Sequence, residues 1–149
     1  MIDALSSCIR LRVLTLFLPY EASSISQLTN LLASDAFDTR SRRGLNLEFV
    51  FERYPACITP TAGDWHGLDD ALQTQAHEFL GRVTITLCSM IIPGEGQVVW
   101  GNAYACSHLI DESFQAELPT LLPRTHQRQL LWWWHPFDPK ASGSYPMKL

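Results

Sequence analysis

A chain of 149 residues, 46% hydrophobic and 17% charged, fits one folded domain and lies outside the disordered class. Its net charge of −4 argues against a dedicated nucleic-acid binder, which is usually basic. The four cysteines (Cys8, Cys57, Cys88 and Cys106) include no C-x-x-C pair and match no zinc spacing, so neither a disulfide scaffold nor a metal or other cofactor is expected.

Residues 9–18 alternate, with Ile9, Leu11, Val13 and Phe17 on one side and Arg10, Arg12, Leu14, Leu16 and Leu18 on the other. That pattern predicts a strand, buried on both faces toward its end and stopped by Pro19. The apolar run 13–18 is too short for an exported leader, and Asp3 before it and Glu21 after it also count against one. No stretch approaches the ~20 apolar residues of a membrane span. A cytoplasmic protein without membrane contact is expected.

Ser24-Ile25-Ser26-Gln27 reads as a capping box opening an amphipathic helix over 25–35, with Ile25, Leu28 and Leu32 on its apolar stripe. The polar loop 38–44 comes next. Residues 45–52 then place Leu45, Leu47, Phe49 and Phe51 on one face and Asn46, Glu48 and Glu52 on the other, as in an antiparallel or edge strand. Residues 55–67 read as a long connection. Leu68, Leu72, Ala76, Phe79 and Leu80 mark a second helix, closed by Gly81 at its C-terminal cap. Residues 82–92 and 97–106 read as a hairpin around Pro93-Gly94-Glu95-Gly96.

Asp111 caps a short turn through Phe114 and Leu118, and Pro119 and Pro123 break the next stretch into pieces. Residues 124–134 are expected to form a last helix, with Pro123 near its first turn and His135 held extended before Pro136. The resulting order predicts an α+β single domain over residues 1–135. Its mixed or mostly antiparallel sheet has about four strands, with two to three helices packed on it. One parallel pair is permitted by the opening strand-helix-strand. Residues 136–149 form a proline-containing tail.

The run Trp132-Trp133-Trp134-His135-Pro136-Phe137 is the strongest candidate site. Three consecutive indoles fan across roughly 200° on a helix and alternate faces on a strand, so they cannot all enter one core. With Arg128 upstream, Trp132, Trp133, Trp134, His135 and Phe137 form a candidate protein-binding patch, since Trp and Arg are enriched in interface hot spots. Packing of the same indoles into the core is the competing reading.

Cys106, His108 and Asp111 carry the ingredients of nucleophilic catalysis, but no motif joins them, and a strand terminus with a buried thiol explains them as well. A metal site could draw on His66, His77, Glu78 and His108, but His77-Glu78 lacks the second histidine of an H-E-x-x-H site. Arg40, Arg42 and Arg43 form a basic loop able to meet an anion or nucleic acid. The expected function is a macromolecule-binding protein with a protein partner, such as an adaptor, inhibitor or assembly subunit, rather than an enzyme. A small enzyme or ligand-binding domain with a Cys/His pocket is the first alternative. A nucleic-acid-contacting subunit using the arginine loop is the second.

Overall fold

The computed structural model describes residues 11–34, 37, 39, 43–54, 56–89, 111–134 and 146–148. In chain order the elements are β1 (Val13–Pro19), α1 (Ala22–Ala33), β2 (Asn46–Arg53), α2 (Ala62–Leu72), a 3-10 turn (Gln75–His77), β3 (Arg82–Ser89), α3 (Glu112–Leu121), α4 (Pro123–Gln127), β4 (Leu131–Trp134) and β5 (Pro146–Lys148).

The strands stand side by side in chain order, β1-β2-β3-β4-β5. β1, β2, β3 and β4 all run parallel, and only the three-residue β5 adds an antiparallel flank to β4. The expectation of an α+β domain with a mixed or mostly antiparallel sheet and two to three helices is therefore corrected. The body of the sheet is parallel, four α-helices lie among the described residues, and the fold is α/β. The alternation in 45–52 is real, but the strand is interior, between β1 and β3. Its polar side belongs to a sheet with helices on one face, not to an antiparallel edge.

Register explains the layering. Leu14, Leu47, Val83 and Leu131 form one row across the sheet, Leu16, Phe49 and Ile85 a second, and Leu18, Phe51 and Leu87 a third. These rows meet Ile25, Leu28 and Leu32 of α1, Trp65, Leu68 and Leu72 of α2, and Phe114 and Leu118 of α3 in one core. Side chains alternate across a strand, so the intervening rows face away from the helices. Tyr20, Phe51, Trp65 and Phe114 pack as an aromatic group with centroids 5.6–6.5 Å apart.

Three helix boundaries differ from the sequence reading. α1 starts at Ala22 with Glu21 at its N-cap, and Ser24 is a buried residue inside its first turn. The first N–H, that of Ala22, donates to the Ile58 carbonyl at 3.0 Å, a tertiary contact no local pattern signals. The capping box is instead at Thr61 and Asp64, and it opens α2 inside the stretch read as a loop. The second predicted helix splits into α2 and the 3-10 turn, so Gly81 precedes a strand rather than capping a helix.

The predicted helix 124–134 is also corrected. α4 ends at Gln127, Gln129 adopts φ 57°, and the chain re-enters the sheet as β4. A single left-handed residue redirects the backbone. Pairing with β3, where Val83 N–H donates to Leu130 O at 2.7 Å, then outweighs helix propensity. Pro119, expected to break the chain, lies inside α3. The expected turn 93–96 and strand 97–106 lie outside the described residues.

Candidate functional site

The sheet face opposite the helices is built from the remaining rows. Val13, Asn46 and Arg82 form one, Thr15, Glu48, Thr84 and Trp132 the next, and Phe17, Val50 and Thr86 a third. The face is graded. At β3, Thr84, Thr86 and Cys88 are buried, whereas at β1 Val13 is 41% and Phe17 55% exposed. A parallel sheet ordinarily has both faces covered, whereas here a valine and an aromatic side chain stand open at β1.

Polar groups on this face are tied across strands. The Glu48 carboxylate accepts from Thr15 Oγ1 at 2.9 Å through one oxygen and from Arg82 Nη2 at 3.2 Å through the other. Its charge is thereby matched locally. Arg82 Nε, Thr84 Oγ1 and Trp132 Nε1 are buried with no hydrogen-bond partner among the described residues. All three belong to the two adjoining rows at β3 and β4.

Of the predicted contact residues, Trp132 is half-buried on this face beside Thr84, while Leu131 turns into the core. Trp133 and Trp134 continue β4, in register with Met147 and Pro146. His135 and Phe137 lie outside the described residues. Arg128 is engaged within the chain. Its Nη1 donates to Leu72 O at 3.0 Å, and its Nη2 donates to His77 O at 3.2 Å and Glu78 O at 3.1 Å. The guanidinium thus ties the end of α2 and the 3-10 turn to α4.

Arg40 and Arg42 are outside the described residues. The Arg43 guanidinium lies 4.7 Å from the Phe79 ring centroid, and its carbonyl accepts from Arg12 Nη1 at 3.0 Å. Cys106 and His108 are likewise outside the described residues. His66 is exposed, but His77 is fully buried, with Nε2 2.7 Å from Leu32 O and Nδ1 3.1 Å from Thr39 Oγ1.

The carboxyl ends of the strands gather a second polar group. Arg53 lies 5.5 Å from the Tyr20 ring centroid and pairs with Asp111 Oδ2 at 3.3 Å. Burial pushes the Tyr20 phenol up. The Ser113 hydroxyl bond, with the Phe114 N–H and Arg53, holds Asp111 below the usual carboxylate range. The Cys57 thiol is pushed up by desolvation and by its bond to Glu21, the opposite of what a nucleophilic thiolate needs. Ligand crevices in open parallel sheets form where the strand order reverses, and among the described strands β1-β2-β3-β4 there is no reversal.

Val13 and Phe17 are two exposed apolar residues that sequence reasoning does not single out. Their alternation in 9–18 is visible, but which face the helices cover is not. No family model, curated protein or solved structure matches the chain.

Proposed function

We propose that this chain is a protein-binding module that meets its partner with the sheet face opposite the helices, over Val13, Phe17 and Val50. The observation that carries the reading is Phe17, an aromatic side chain 55% exposed in the middle of a parallel strand. Phe17 stands with Val13, also exposed, and with half-buried Val50 on the open β1–β2 side of the face, next to the buried β3 rows. The lack of a strand-order reversal among the described elements removes the usual argument for an enzymatic crevice. Trp132 shares the face but is half-buried, beyond the buried Thr84 of β3. Adaptor, inhibitor and assembly subunit remain forms of this one reading.

The test is retention of a protein by immobilised wild type, Phe17→Glu and Ile58→Glu. Ile58 is 79% exposed and lies in a loop, so it controls for lost surface apolarity. A protein held by wild type and Ile58→Glu but released by Phe17→Glu supports the reading. Equal retention by all three ends it.

A further inference from the structure

We infer that β1 pairs antiparallel with β1 of a second copy of this chain, about a twofold axis at Thr15. The inference goes beyond the contact face, because it rests on backbone groups at the sheet edge. Arg12 O accepts from Asn46 N–H at 2.9 Å, and Tyr20 N–H donates to Glu52 O at 2.7 Å. Backbone groups alternate sides along a strand, so the even-numbered residues of β1 face β2. The N–H and C=O groups of Val13, Thr15 and Phe17 therefore face away from β2, and β1 is the terminal strand of the described sheet. Pro19 falls on the same outward side, where its missing N–H costs no bond to β2 and closes the run after Phe17.

The outward run is self-complementary. Centred on Thr15, an antiparallel partner sets Thr15 against Thr15 and Val13 against Phe17 on both sides of the axis. Each of these is a hydrogen-bonded pair, so every outward N–H and C=O from 13 to 17 is satisfied. The two exposed apolar side chains of one copy meet those of the other as aromatic–β-branched pairs. An isologous contact of this kind closes with two chains. The segment Val-Leu-Thr-Leu-Phe-Leu-Pro also carries none of the charges that ordinarily guard an edge strand.

The experiment is size-exclusion chromatography with light scattering on wild type, Thr15→Lys, Thr15→Glu and an equimolar mixture of the two variants. Like charges directly opposite destabilise a strand pair and opposite charges restore it. Wild type at twice the chain mass, each variant at one chain mass and the mixture back at twice is the expected result. Amide exchange on wild type reads the same contact without mutation, with protection of the Thr15 and Phe17 N–H groups rising with protein concentration. Wild type at a single chain mass, variants that stay paired, or a mixture that fails to re-form each overturns the inference. A single-mass wild type that still retains another protein through Phe17 overturns the pairing and leaves the contact-face reading standing.

Discussion

The Asp69 carboxylate holds Thr125 from 56 residues away: Oδ1 accepts from both the backbone N–H, at 2.9 Å, and the hydroxyl of Thr125. The other oxygen accepts from Arg124 N–H at 2.9 Å, so one buried side chain caps α4 from α2. Because α4 leads directly into β4, this cap sets where the chain re-enters the sheet and where Trp132 stands.

Replacing Asp69 with Ala leaves the N–H groups of Arg124 and Thr125 without their acceptor in a buried site. Hydrogen bonds to charged groups contribute more than neutral ones, and the expected loss is about 3 kcal/mol. In a domain of this size that corresponds to a fall in Tm of roughly 6–12 °C. Urea unfolding of wild type and variant measures it, and a loss below ~1 kcal/mol contradicts the cap.

Thr84 gives the opposite sign. Its hydroxyl is buried with no partner among the described residues, so the desolvation it suffers is uncompensated. Thr84→Val keeps the shape and a β-branched side chain suited to a strand. It is expected to raise stability by about 1 kcal/mol. A clear fall in the urea midpoint would show that the hydroxyl does have an acceptor.

Gly81 is required by space. A Cβ there would lie 2.8 Å from the Gly44 carbonyl oxygen and 2.6 Å from Asn46 Oδ1. The close approach carries the bond from Gly81 N–H to Leu45 O, at 2.8 Å, where β3 begins beside β2. The Asn46 side chain can turn away, but the Gly44 backbone cannot without moving that junction. Gly81→Ala is expected to cost about 1–3 kcal/mol by overpacking, and thermal melts check it.

Acidification tests the cap of α3. Asp111 has its carboxyl held low, first by the Ser113 hydroxyl, then by the Phe114 N–H and by Arg53. A depressed carboxyl stabilises the fold at pH values above its ordinary value, about 3.9, and that contribution fades as pH falls through the lower, folded-state value. Wild type is therefore expected to exceed Asp111→Asn in stability at neutral pH and to lose that margin below about pH 4. Urea midpoints measured for both proteins at neutral and acidic pH decide it. A margin that does not shrink on acidification contradicts the assignment.

Local pattern is enough for a good part of this chain. Leu45, Leu47, Phe49 and Phe51 mark one buried face by period alone, and Ile25, Leu28 and Leu32 mark a helix stripe, because each needs only the geometry of its own element. The start of α1 is not legible in the same way, because a carbonyl from the 58 region, not a local serine, satisfies its first N–H. Strand direction escapes local pattern for a related reason. A run such as 82–89 alternates or fills in according to what covers its two faces, and hydrophobicity carries no arrow along the chain.

The Trp run shows the division most clearly. That three adjacent indoles leave a regular backbone in different directions is readable from the residue order alone. Whether they stand on a helix or a strand turns on Gln129 in a left-handed conformation, on the Asp69 cap of α4, and on the bond from Val83 to Leu130. The Asp69 cap and the Val83 bond join residues many positions apart. Apolar faces are a property of neighbours along the chain, and so the amino-acid order specifies them directly. Strand order, strand direction and the face left open emerge only on folding, because backbone hydrogen bonds between distant segments select them.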